Sequence, residues 1–227
     1  MSVNPIFRDR IEAGQVLAQR LKGVIRDSNP IVLALPRGGV PVGFEVAKAL
    51  HSDLDIFLVR KLGVPGHEEL AIGAIASGGI RVLNQTLIRE LGLTSLVIDS
   101  ITARERREIE RRERLYREHR PPLAVGDRTV ILVDDGLATG ATMLAAARAL
   151  RIQRPKRIIV AVPVASREAC DEFRRHMDET VCAEMPEPFC SVGSWYEDFS
   201  QTSDAEVREL LERAAHERVP KEELWHP

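Results

Sequence analysis

Apolar residues in this chain fall into two kinds of stretch. Some are short, nearly unbroken runs, as suits strands covered on both faces; others recur every three or four residues, as suits helices that bury one face. The predicted strands are Pro30 to Leu35, Leu54 to Val59, Val130 to Val133, Arg157 to Val164 and Thr180 to Ala183. Between them lie the predicted helices. Asp9 can cap a helix carrying Val16, Leu17, Leu21, Val24 and Ile25, and Pro41 stands where a first turn accepts proline ahead of Val42 to Leu50. Asn84 to Leu91 ends at Gly92, Met143 to Leu150 follows the third strand, and Ser166 opens a helix through Met177. Ser203 and Glu206 have capping-box spacing before a stripe of Val207, Leu210, Leu211 and Ala214. Strands alternating with helices predict an α/β fold: a parallel sheet flanked by helices, with right-handed crossovers.

Two stretches break the alternation. Leu62 to Leu70, with Gly63, Pro65 and Gly66, reads as a mobile loop. Ala71 to Ala76 and Ile80 to Leu83 then flank Ser77-Gly78-Gly79 as a β-hairpin that a parallel α/β unit does not need. Asp99 to Arg120 interleaves Arg with Glu105, Glu108, Glu110 and Glu113 at helical pair spacings, the pattern of a solvated helix. Pro121-Pro122 ends it.

Length and composition narrow the class. At 227 residues, 44% of them hydrophobic, the chain suits a single domain, residues 1–227. A net charge of -2 gives no general attraction for nucleic acid. No apolar run approaches the ~20 residues of a membrane span, and Met1 to Arg10 lacks the apolar core of a signal peptide, so a cytoplasmic location is expected. Cys170, Cys182 and Cys190 show no Cys-x-x-Cys spacing and read as reduced thiols.

The candidate chemistry gathers at Val130 to Thr142. Asp134 and Asp135 follow a buried strand, at the end where ligands bind in open α/β sheets. Two adjacent carboxylates can accept hydrogen bonds from vicinal sugar hydroxyls and can hold Mg²⁺, directly or through water. Ala138, Thr139, Gly140, Ala141 and Thr142 then offer backbone N–H groups, hydroxyls and a helix start, which together bind phosphate without a lysine. An Asp-Asp-Gly turn joining strand to helix is the plainer alternative, but the ordered combination argues against it.

This run, VILVDDGLATGAT, resembles the phosphoribosyl diphosphate (PRPP) motif of type I phosphoribosyltransferases at nearly every position. The resemblance implies that Asp134 and Asp135 hold the ribose hydroxyls and that Ala138 to Thr142 hold the 5′-phosphate. Leu35-Pro36-Arg37-Gly38-Gly39 is similar to the family's pyrophosphate loop, which in many members contains a non-proline cis peptide, here expected between Arg37 and Gly38. Arg60 and Lys61 resemble the basic pair before the family's flexible loop, which Leu62 to Gly79 match in place. Arg37 and Lys61 would then be catalytic, and Arg37, Gly38, Gly39, Arg60 and Lys61 would hold pyrophosphate, with Mg²⁺ as cofactor. The core would run from about residue 30 to 164, with a β-hairpin flexible loop and a hood from about 1–29 and 181–227.

The acceptor is less legible. Ala138 stands where hypoxanthine-guanine enzymes carry an aspartate, which argues against a 6-oxopurine enzyme of that design. Trp195 and Asp198, in the patch Gly193 to Phe199, could form an acceptor pocket; the same aromatics could equally anchor the last helix. His67, Glu68, Glu69 and Asp198 are candidate bases, each also at home on a solvated surface. The reading is therefore transfer of 5-phosphoribosyl from PRPP to a nitrogen nucleophile, a nucleobase or related heterocycle, with release of pyrophosphate. The alternatives are a regulatory module that binds PRPP or a nucleotide without turnover, and a ribose-5-phosphate-binding protein with a different reaction. A homodimer is the family's common habit.

Overall fold

The computed structural model describes residues 4–217 except 28 and 119, so the outer hood residues 1–3 and 218–227 lie outside the described residues. The elements in chain order are α1 (Arg10–Lys22), β1 (Ile31–Ala34), α2 (Gly39–Leu50), β2 (Asp53–Ile56), β3 (Val59–Val64), β4 (His67–Ala76), β5 (Ile80–Leu83), α3 (Gln85–Glu90), α4 (Ser95–Arg117), β6 (Thr129–Val133), α5 (Ala141–Ile152), β7 (Arg157–Val164), α6 (Arg167–His176), β8 (Glu179–Glu184) and α7 (Asp204–Glu217). Five strands form a parallel sheet in the order β2-β1-β6-β7-β8, and β3, β4 and β5 form a separate antiparallel sheet.

Side chains alternate across the parallel sheet, so each strand feeds two cores. Val32, Ile131, Val133, Ile159 and Ala161 pack under Leu17 and Leu21 of α1 and Val42 and Val46 of α2. Leu33, Val130, Leu132, Ile158 and Val160 pack under Met143, Ala146 and Leu150 of α5 and Phe173 of α6. A third cluster joins Leu62, Ile72 and Ile75 of the antiparallel sheet to Ile98, Ile101, Ile109 and Tyr116 of α4 and to Val207 and Leu211 of α7. The charged helix α4 thus buries one face, while its others carry ion pairs such as Arg106–Glu110 and Arg112–Glu108. Caps form at Asp9, Asn84, Ser166 and Ser203, whose side chains accept from the backbone N–H groups of Glu12, Leu87, Ala169 and Glu206.

The structure departs from the sequence pattern at three places. The apolar run Leu54 to Val59 is not one strand. β2 stops at Ile56, and Leu58 is drawn into the second sheet by Ser77, whose Oγ accepts from Leu58 N at 3.0 Å and whose N–H donates to Leu58 O at 2.8 Å. An apolar run reports burial, not which sheet provides it. Arg60 and Lys61 therefore lie within β3 and do not end β2. Second, Leu62 to Leu70 is not an open loop. β3 and β4 pair antiparallel from Val59–Ala76 to Val64–His67, with a register shift beside Gly63 and Gly66 at φ 81° in the turn. The glycines read as breakers are a bulge and a turn. The β4–β5 hairpin lies where the pattern places it, pairing Gly73–Leu83 through Ala76–Ile80. Third, Cys170 on α6 and Cys182 on β8 form a disulfide with Cα atoms 6.6 Å apart, correcting the expectation of three thiols. The contact is made across layers, α6 over β8, where local spacing gives no signal. Cys190 is an exposed thiol.

Candidate active site

The sheet grows outward from β1 to β2 through α2 on one face, and from β6 to β7 through α5 on the other. The order in which strands are added thus reverses between the parallel neighbours β1 and β6, and the loops beyond their carboxyl ends flank a topological switch point, where such sheets bind ligands. The first loop is Leu35 to Gly39. Leu35 N donates to Val133 O at 2.8 Å, tying it to β6. The cis peptide lies at Pro36–Arg37, one bond before the expected Arg37–Gly38 position.

The two glycines after it are required by proximity. A Cβ on Gly38 would overlap Asp135 Oδ2 and fall 2.7 Å from Asp135 Cγ, and one on Gly39 would fall 2.9 Å from Asp134 Cα. The Arg37-Gly38-Gly39 loop and the Asp134–Asp135 pair therefore touch, and only glycine lets them do so. Asp134 Oδ1 accepts from Asp135 N at 2.9 Å. Asp135 Oδ2 accepts from Arg10 Nε at 2.9 Å. Burial and then the neighbouring Asp135 charge push the Asp134 carboxyl well above its usual range. Burial also raises Asp135, with Arg10 opposing the shift.

Beyond the acids, Leu137 is clamped in the sheet edge, donating to Val164 O and accepting from Ser166 N, both at 2.9 Å. Ser166 Oγ donates to Ala138 O at 2.9 Å. Gly140 adopts φ 73° as it enters α5, and a Cβ there would strike the Phe173 ring at 2.5 Å. No side chain caps α5, so its first N–H groups stay available beside the exposed Ala138, Thr139, Ala141 and Thr142. An open helix start of this kind can accept an anion.

The cations are placed differently from one another. Arg37 Nη1 lies 3.6 Å from Asp204 Oδ1 at the start of α7, and the same oxygen accepts from Tyr116 Oη at 2.6 Å. Burial, followed by that bond, pushes the Tyr116 hydroxyl up to about 12. Arg60 donates from Nε to Glu105 of α4 at 2.9 Å. Lys61, on the opposite face of β3, lines a cavity of about 570 Å³ with Ala141, Leu144 and Arg148 of α5.

The candidate acceptor residues are split. Trp195 is 5% exposed and packs with Phe7, Ala13, Val164 and Tyr196, so its ring is core and offers no open face. Asp198 is exposed, and its carboxylate accepts from Ser200 N at 2.8 Å, which holds its pKa below the usual range. His67 and Glu68 are exposed at the β3–β4 turn, and the Glu69 side chain is outside the described residues. The sequence pattern gives no sign of the seam that holds this region. Ile6 and Phe7 both donate to Trp195 O, Glu197 N donates to Phe7 O, and Asp198 N donates to Arg8 O. Tyr196 Oη donates to the Asp135 carbonyl at 2.5 Å. Arg10 and Tyr196 carry no local signal of this; only the approach of distant segments creates it.

Among the described residues no cluster of three or more His, Cys, Asp or Glu could hold a metal by itself. The paired carboxylates nonetheless suit Mg²⁺ of the kind held by one or two carboxylates and completed by substrate phosphates and water. No described helix is long and apolar enough to cross a membrane.

Comparison with known proteins gives the family. The Phosphoribosyl transferase domain profile matches residues 8–198. Two curated Mycobacterium tuberculosis proteins, from strains CDC 1551 and H37Rv, each named "Putative phosphoribosyl transferase", are 43% identical over 209 residues, 92% of this chain. The chain spans about half the length of these relatives, 47% in each case. The crystal structure of TT1426 from Thermus thermophilus superposes with a TM-score of 0.82 at 42% identity, covering 90% of this chain and 97% of that one. With the profile spanning most of its length, this chain belongs to the phosphoribosyl transferase domain family.

Proposed function

We propose that the protein transfers the 5-phosphoribosyl group of PRPP to a nitrogen nucleophile on a heterocycle. The observation that carries this reading is the contact of Gly38 with Asp135, which leaves no room for a Cβ and sets two loops against each other, one suited to pyrophosphate and one to ribose. In the reaction the bond from ribose C1 to the pyrophosphate oxygen breaks, and its electron pair leaves with pyrophosphate. The acceptor nitrogen forms the new bond to C1, and the proton it loses passes to the departing pyrophosphate or to water.

The chain's task is to place charge and exclude water. Asp134 and Asp135 accept the ribose hydroxyls, and the open start of α5 with Thr139 and Thr142 holds the 5′-phosphate. Arg37 leaves its long pair with Asp204 to meet the departing pyrophosphate. Lys61 adds charge from β3, and Arg60 stays tied to Glu105 until that pair opens. Mg²⁺, when bound, supplies charge neutralisation for the diphosphate and relieves the buried acid pair.

The test is pyrophosphate release from PRPP and Mg²⁺ across a panel of purines, pyrimidines and other nitrogen heterocycles. Turnover with one class supports transfer. PRPP binding with no turnover on any acceptor favours the regulatory reading, and absence of PRPP binding defeats both.

A further inference from the structure

The contact of Arg10 with Asp135 spans 125 residues and joins three parts of the site. The Arg10 side chain is 11% exposed. Its Nε donates to Asp135 Oδ2 at 2.9 Å, its Nη1 donates to Ser200 O at 2.7 Å, and its guanidinium carbon lies 4.0 Å from the centre of the Phe199 ring. A Cβ on Gly38 would meet Arg10 Nε at 3.1 Å, so Arg10 also covers the Leu35–Gly39 loop. A carboxylate can accept at both oxygens. Arg10 is the side chain that takes Oδ2; among the described residues no other side chain donates to the Asp135 carboxylate, whose own backbone N–H is shared with Asp134 Oδ1.

We propose that Arg10 is a positioning residue for phosphoribosyl transfer: it holds Asp135 by one oxygen, leaves the other for a ribose hydroxyl, and ties that carboxylate to the segment from Tyr196 to Ser200. Arg10 stays on Asp135 when PRPP binds. The planar guanidinium is suited to this because it bonds in two directions while stacked on a ring, which a lysine cannot do. The inference rests on the transferase reading above.

The test compares wild type with Arg10→Ala, Arg10→Lys and Arg8→Ala, the last an exposed arginine paired with Glu12. PRPP affinity is measured by titration calorimetry with Mg²⁺, and melting temperature is followed alongside. Arg10→Ala should weaken PRPP binding about 10- to 100-fold, as when a residue that orients a ligating group is removed. Millimolar guanidinium should restore much of that loss, Arg10→Lys should fall between, and Arg8→Ala should match wild type. Unchanged affinity in Arg10→Ala overturns the proposal, and so does tighter binding, which would make Arg10 a competitor of ribose. A loss that guanidinium does not reverse and that follows a lowered melting temperature shows a merely structural role and also overturns it. If Arg10→Ala does not fold, Arg10→Lys decides: wild-type affinity there overturns the proposal. Wild-type protein that binds no PRPP defeats the transferase reading itself, whereas a binding wild type matched by Arg10→Ala defeats only the role of Arg10.

Discussion

The proposed donor loops and the segment around Trp195 meet at Asp135 but are built in different ways. The proposed donor side is local: Val130 to Thr142 supplies a strand, two acids, a turn and a helix start within one stretch, and Leu35 to Gly39 lies beside it because β1 and β6 are neighbours. The other side is assembled from both halves of the chain, residues 6–10 against 195–200, held by backbone bonds and a buried aromatic cluster. The proposed donor loops are short and fixed by strands, while the Trp195 segment is held by packing between distant parts of the chain. Changes on the donor side should therefore damage activity with little loss of fold, and changes in the aromatic cluster should do the reverse.

The largest expected effect is on the donor side. Asp134→Asn with Asp135→Asn should lower pyrophosphate release from PRPP by about 10³-fold in a protein that still unfolds cooperatively, as judged by steady-state kinetics and thermal unfolding. A variant that keeps PRPP affinity would break the site assignment. On the other side, Trp195→Ala should cost about 3–5 kcal/mol in urea unfolding, because a large buried ring leaves a cavity; an unchanged midpoint would show that Trp195 is not core. Gly38→Ala comes next. Its Cβ must push Asp135 aside by about an ångström, and about 10²-fold in turnover should go with it.

A pH experiment separates the two sides more finely. A carboxyl raised in the folded state binds protons more tightly there than in the unfolded chain, so its contribution falls as pH rises from about 4 through the raised value. The gain in melting temperature of ligand-free Asp134→Asn over wild type should thus grow with pH across that window. A gain that does not vary with pH would mean that Asp134 is not the strained group. The smallest effect expected is from Asp198→Asn, within about 3-fold on acceptor KM, since that exposed carboxylate serves the backbone of Ser200. A larger change would give Asp198 a direct part in acceptor recognition.

Much of the sheet and the donor loops can be read from the sequence because strand, turn and helix signals there are contiguous. Asp9, Ser166 and Ser203 cap the helices that the sequence has them open, because capping is local chemistry. What escapes depends on encounters between distant segments. Nothing near Leu58 announces that Ser77 will draw it into a second sheet, and nothing near Arg10 announces Asp135 or Phe199. Cys170 and Cys182 meet only because α6 crosses β8. Trp195 suits a ring platform and a core position equally well on sequence. Burial beside Phe7 and Val164 decides for core, since an aromatic buries its large area wherever a cavity accepts it.

Arg60 and Lys61 illustrate how order matters within a pair of like charges. Because adjacent residues on a strand face opposite ways, Arg60 meets Glu105 while Lys61 lines the cavity beside α5. Transposing the two residues would leave composition and net charge intact. It would nonetheless put a flexible point charge against Glu105 and a planar five-donor group into the α5 cavity. Two sequences that any count of charges treats as the same would then be wired to different halves of the molecule.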